Sequence, residues 1–270
     1  MCLLAFGWRS RPGLRLALVG NRDEFHTRPT APLHAWPEAS GVFAGRDLQA
    51  GGTWCGVGPG GKVAALTNFR SLAAPPDNAP SRGELVSSFL QGEASARNHA
   101  LALQAQAHRY AGFSLLLADA AEAWIVSNRL PAAQPLTPGV YGLSNAQLDT
   151  PWPKLLRCRE ALRQALDQGE PSPAKLATLM LDTTPPPPED LTAEAGIEDD
   201  NTAVLRLFEE RYGSGFVQAI AAPFVLNERY GTRATTAIIV ADTGAGEILE
   251  WQHTPEGTRA GERHFRFGPP

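Results

Sequence analysis

Short apolar runs broken by glycine and proline dominate the first third of this chain. Cys2–Phe6 reads as a buried strand and Leu14–Val19 as a second. The loop between them, Arg9 to Gly13, carries turn chemistry. Antiparallel pairing of these two strands returns residue 20 onward to the neighbourhood of the chain start. Gly41–Ala44, Gly52–Val57 and Val63–Leu66 read as further strands, and Ala73–Pro80 as a proline-rich loop. The spacing of apolar residues then predicts helices over Gly83–Leu90 and Ala94–Tyr110. Phe113–Leu117 and Ala123–Val126 form a predicted core hairpin, with Val140–Leu143 a further strand. Helices follow over Pro153–Gln168 and Pro173–Leu181, each with a proline in its first turn, where the missing N–H is harmless. Thr183–Ile197 is proline-rich and acidic, a surface excursion. Gly215–Leu226, Thr235–Ala241 and Glu247–Gln252 read as late strands. Strands at both ends with two helical groups between them predict an α+β fold, two sheets flanked by helices. The alternation is too irregular for a doubly wound parallel sheet.

No internal repeat or boundary divides residues 1–270, so one domain is expected. A chain of 270 residues with 43% apolar content buries a large core without staples. The net charge of −4, with no basic block, gives no reason to expect nucleic acid. No run of eighteen apolar residues is present, so no membrane span is predicted. Arg9 and Arg11 interrupt the short apolar start, which is not a signal peptide, and a cytoplasmic location is expected. Nothing in the sequence specifies an oligomeric state.

The three cysteines lack C-x-x-C spacing, which argues against a disulfide framework and a structural zinc site. None of the six histidines forms a ligand pair, so no metal and no cofactor is implied. Cys158 shares a helical face with Leu155, Leu162 and Leu166 and reads as core. Cys55 reads as a strand residue and a rival thiol. Trp54 and Trp152 fit either a pocket wall or the core, and His26 with Arg28 either a substrate contact or a solvated loop.

Cys2 stands apart, because removal of the initiator methionine leaves it with a thiol and a free α-amine on one residue. Such an amine titrates near 7.7–8.0, so it is partly neutral at physiological pH and can accept the thiol's proton. The alternative is a small apolar side chain at a strand start. Asn21, Arg22, Asp23 and Glu24 end the second strand, close to the first. Asp23 can hold an ammonium group, and a guanidinium can grip a carboxylate or oxyanion.

The Met1-Cys2 start and Asn21-Arg22-Asp23-Glu24 resemble the NRDE family, also called the transport and Golgi organisation family. The resemblance continues through Gly51-Gly52-Thr53-Trp54, Thr67-Asn68-Phe69-Arg70, Arg82-Gly83-Glu84-Leu85, Leu143-Ser144-Asn145, Leu148 to Lys154 and Gly231-Thr232-Arg233. That family in turn resembles the N-terminal nucleophile hydrolases near choloylglycine hydrolase, which implies a four-layer αββα sandwich with an exposed N-terminal cysteine. The resemblance implies catalytic roles for Cys2, Asp23, Asn68, Asn145 and Arg233. Substrate contacts are expected from Asn21, Arg22, Glu24 and Arg70. Arg22 departs from the hydrolase pattern by standing next to Asp23, and strand neighbours point to opposite faces. The expected partner is a small-molecule substrate or ligand. Hydrolysis of a carbon–nitrogen amide bond is one expected function. A non-hydrolytic protein handling haem or acyl lipids is another, and an inert interaction surface a third.

Overall fold

Two strands buried on both faces set the architecture. The computed structural model describes residues 2–71, 74–187, 190, 201–213 and 215–268, the side chains of 201 and 202 excepted. In β1 (Cys2–Arg11) and β2 (Leu14–Phe25), Leu4, Phe6, Trp8, Leu16 and Leu18 point to one side and Leu3, Ala5, Ala17 and Val19 to the other. A strand apolar on both faces must lie between layers. β1 and β2 pair antiparallel with Cys2 opposite Arg22. The first sheet runs β10 (Gly139–Leu143), β1, β2, β11 (Tyr230–Ala241), β12 (Gly246–His253), β13 (Arg259–Phe267).

The second sheet is a meander of β3 (Thr30–Ala35), β4 (Phe43–Asp47), β5 (Cys55–Gly58), β6 (Lys62–Asn68), β7 (Phe113–Ala118), β8 (Ala123–Ser127) and β9 (Gln134–Pro135). Leu4, Phe6, Leu18, Ile238, Val57, Ala65 and Leu116 fill the space between the sheets. Outside the second sheet lie α1 (Gly83–Gln91) and α2 (Ala96–Gln106), which bury Leu85, Phe89 and Leu103 against Leu115, Leu117 and Val126. Outside the first lie α3 (Pro153–Asp167) and α4 (Pro173–Thr178). Leu155, Cys158, Leu162 and Leu166 recur at three- and four-residue intervals, which places them on one face of α3, against β1. The layers are therefore αββα, with both sheets antiparallel throughout the described residues.

Several elements differ from the sequence reading. β1 extends to Arg11 and β2 to Phe25, because β2 is paired on both sides and its ladder holds the polar tetrapeptide, with Thr232 opposite Asp23 and Tyr230 opposite Phe25. The expected strand Gly215–Leu226 is instead a short helix, α6 (Phe216–Ile220), followed by irregular chain. Phe216 and Ile220, one turn apart, pack with Val225 and Tyr230 in a satellite cluster. The predicted strand Gly52–Val57 narrows to β5, because Gly52 is drawn onto the start of α1. A Cβ at Gly52 would lie 2.4 Å from the Gly83 carbonyl carbon, so only glycine permits this approach. β3, β9, β13 and α5 (Asn201–Tyr212) were not anticipated. β13 is largely exposed and charged, so it carries no strand pattern. Ala73 of the proline-rich loop, and residues 188, 189 and 191–197 of the acidic excursion, lie outside the described residues.

Candidate active site

Where β1 begins, the sandwich opens into a cleft of about 500 Å³. Both sheets contribute to it. The first supplies Cys2, Arg22, Asp23 and Glu24, and the second supplies Asp47 and Asn68, with Trp54 from the turn before β5. Arg28 and Arg82 reach it from loops.

Cys2 is half-buried at the cleft floor, and its carbonyl accepts a hydrogen bond from the Ser144 hydroxyl at 3.2 Å. Burial pushes its thiol above the ordinary range; the chain's terminal ammonium and Arg22 oppose that, while Asp23 and Glu24 reinforce it. A thiol held in that direction is protonated at neutral pH and needs a base before it can attack. Behind it a space of about 10 Å³, lined by Leu4, Leu18, Trp54, Cys55 and Leu66, is room for roughly one water. The other thiols are sealed: burial pushes Cys55 far up and Cys158 up to about 12.

Asp23 and Arg22 both line the cleft although they alternate along β2. The Asp23 carboxylate accepts a hydrogen bond from Thr232 Oγ1 at 2.7 Å, and its carbonyl accepts one from the Tyr230 hydroxyl at 2.8 Å. Burial raises the Asp23 pKa, against the terminal ammonium and the Thr232 hydrogen bond. Arg22 sits over Trp54, its guanidinium carbon 4.5 Å from the ring centroid, with Nη2 3.6 Å from Asp47. Its Nη1 is buried and has no hydrogen-bond partner among the described residues. Asp47 is held mainly by others: Arg28 Nε donates to it at 2.6 Å, and the N–H groups of Gln49 and Ala50 at 3.0 Å. Burial would raise the Asp47 pKa, but these donors outweigh it and hold the carboxyl below its usual range.

The remaining expected residues divide. Asn68 ends β6, half-buried, and lines the cleft. Asn145 does not line it; its Nδ2 donates to the Asn68 carbonyl at 2.9 Å, and its own carbonyl accepts from Arg70 N–H at 2.7 Å. Asn21 points to the helical layer, donating to the carbonyls of Met180 and Pro223 at 2.8 and 2.9 Å and accepting from Thr235 at 2.7 Å. Arg70 is buried with its guanidinium carbon 4.7 Å from the Trp152 ring centroid, away from the cleft. Arg233 is the extra residue of a bulge between Thr232 and Ala234, and it does not line the cleft. It donates to the carbonyls of Phe25 and His26 at 3.0 and 3.1 Å and so fastens the β2–β3 loop. Sequence reasoning missed Thr232, Asp47 and Arg82. Thr232 was within the recognised Gly231-Thr232-Arg233 triplet, but only the register with β2 distinguishes it from Arg233.

The fold and the cleft define an αββα sandwich protein whose second residue carries a thiol at the floor of a charged opening. The chain belongs to the transport and Golgi organisation 2 family, whose model matches residues 1–255. It is 35% identical over 258 residues to the Transport and Golgi organization 2 homolog of Mus musculus, covering 90% of each chain. Among solved structures, it resembles a Caenorhabditis elegans N-acylethanolamine-hydrolyzing acid amidase ortholog (TM-score 0.46, 13% identity, 67% of this chain and 85% of that one). It also resembles a penicillin V acylase from Agrobacterium tumefaciens (TM-score 0.41, 12% identity, 92% of this chain and 82% of that one). Among the described residues, no helix is long and apolar enough to cross a membrane.

Proposed function

We propose that this protein is an N-terminal-cysteine hydrolase that cleaves the amide bond of a small, polar acyl substrate. The observation that carries this reading is the convergence of Cys2, Asp23 and Asn68, from three different strands, on one cleft. After removal of Met1, the α-amine of Cys2 takes the proton of its own thiol. The thiolate attacks the amide carbon, and the carbonyl electrons move to oxygen. Asn68 offers its amide N–H₂ to that oxyanion; a donor of this kind is worth about 2.7–4 kcal/mol of barrier. The C–N bond then breaks, the leaving amine takes the proton from the α-ammonium, and a thioester remains on Cys2. Water, deprotonated by the same amine, releases the acid and restores the thiol.

Asp23, fixed by Thr232, orients the α-amine. Asn145 and Arg233 act as positioning residues, the first on the Asn68 backbone and the second on the loop beyond Phe25. The water-sized space behind the sulfur excludes an acyl chain threaded between the sheets. A haem- or acyl-lipid-handling role draws no support from this lining, because an apolar ligand would desolvate Arg22, Glu24, Arg28 and Asp47.

Hydrolysis of a panel of short acyl p-nitroanilides tests the reading. Cys2→Ala is expected to lower turnover at least about 10³-fold, while Cys55→Ala leaves it intact. Full turnover in Cys2→Ala would overturn the proposal.

A further inference from the structure

Beside the cleft lies a second cavity of about 460 Å³, and Pro75, Pro76, Arg82 and Ala111 line both. The two spaces therefore meet at Arg82. The cleft mixes charges, with Arg22, Arg28 and Arg82 against Asp23, Glu24 and Asp47. The annex does not. Arg82, Arg129 and, at its exposed rim, His108 line it, and no carboxylate does among the described residues. This concentration of positive charge stands in a chain whose net charge is −4.

Neither arginine is paired with a carboxylate among the described residues. Arg82 Nη1 donates to the Gly112 carbonyl at 2.9 Å, which anchors one arm of its guanidinium. Arg129 Nη2 donates to the Ser71 hydroxyl at 3.0 Å, and its guanidinium carbon lies 5.7 Å from the Phe69 ring centroid. Arg129 Nε is buried with no hydrogen-bond partner among the described residues. A buried donor without an acceptor is costly unless a ligand satisfies it. Asn128 and Tyr110, which also line it, are already committed. Asn128 donates to the carbonyls of Tyr110 and Ala111 and accepts from Phe113 N–H, and the Tyr110 hydroxyl donates to Glu84. The annex thus presents anchored, planar donors without an acceptor, which is the arrangement that grips an oxyanion bidentately.

We infer that the annex is an anion subsite, in which Arg82 and Arg129 hold a carboxylate or phosphate group on the ligand whose amide enters the Cys2 cleft. The inference rests on the hydrolase reading only for the role of that ligand; binding of the anion itself does not require Cys2. An amide that fills both spaces carries its negative group on the side of the scissile bond that faces α1 and β7.

Titration of the full chain bearing Cys2→Ala, at constant ionic strength, tests the site independently of catalysis. The probes are inorganic phosphate, glutarate and the neutral isostere glutaramide, followed calorimetrically. Saturable binding of phosphate or glutarate is expected, with none for glutaramide, and the tighter anion identifies the group held. Arg129→Gln is expected to weaken binding about tenfold or more, since a charge-assisted hydrogen bond is lost. Arg129→Lys, which keeps the charge, should recover part of it. A measurement on unsubstituted arginines guards against misfolding: phenylglyoxal modification of Arg82 and Arg129, mapped by mass spectrometry, should slow when the bound anion is present. Equal binding of glutaramide and glutarate, unchanged anion binding in Arg129→Gln, or absence of both saturable binding and protection would overturn the inference.

Discussion

Asn21 and Arg22, neighbours on opposite faces of β2, are committed to very different degrees. Asn21 on the helical side uses both amide hydrogens and its oxygen on Met180, Pro223 and Thr235, and leaves nothing for a ligand. Arg22 on the inner side is equally buried, yet one nitrogen has no partner among the described residues and the ion pair to Asp47 is long at 3.6 Å. Asp23 and Glu24 both line the cleft but differ in how far they are committed. Asp23 is tied to Thr232, while Glu24 stays at the cleft with Arg28 3.8 Å away. One polar tetrapeptide therefore does two jobs: Asn21 fastens the helical layer, and Arg22, Asp23 and Glu24 line the cleft.

That contrast can be broken most forcefully on the outer face. Asn21→Leu strands two buried carbonyls and the Thr235 hydroxyl, each costing about 1–3 kcal/mol. Chemical unfolding should show a loss of about 3 kcal/mol or more, with activity per folded molecule retained. On the inner face, Arg22→Gln should leave stability within about 1.5 kcal/mol, because Asp47 keeps Arg28 and its backbone donors. Its effect should fall on substrate, with KM raised about 10- to 100-fold for loss of a charge-assisted contact. Equal stability losses in the two variants would erase the distinction.

The smallest effect concerns pH and again belongs to the outer face. Thr235 donates to Asn21, so at 2.9 Å it accepts from His253 Nε2–H. His253 Nδ1 is buried without a partner among the described residues, and burial, aided by Arg259, lowers its pKa to about 4. The unfolded chain binds this proton near pH 6.5 and the folded one only near 4. Stability is therefore fully present above pH 6.5 and falls as pH drops toward 4. Asp23 and Glu250, whose pKa values burial raises, act with the opposite sign. The difference in melting temperature between wild type and His253→Gln isolates the histidine. It should narrow from pH 7 to pH 4.5, and a difference independent of pH would contradict the assignment.

The pattern of apolar residues made the strand pair bearing Cys2 and its polar tetrapeptide legible, as were α1, α3 and the β7–β8 hairpin. These elements bury continuous faces, so periodicity reports them directly. The sandwich of flanked sheets followed from their order and from the family resemblance. What was illegible came from register and approach. The bulge at Arg233, which leaves Thr232 facing Asp23, has no local signal. Asp47 and Arg82 reach the cleft from the facing sheet and from the turn before α1, through packing that a linear reading does not contain. α6 is only five residues long, too short for periodicity to separate helix from strand.

The proposed hydrolase requires that Cys2 be the first residue of the working protein and its reactive thiol. Intact-mass analysis after exposure to a chloroacetamide probe tests it directly. The expected product is a chain lacking Met1 and carrying one adduct, mapped to Cys2, with Cys55 and Cys158 untouched. A chain that retains Met1, or one labelled at Cys55 while Cys2 stays free, would contradict it.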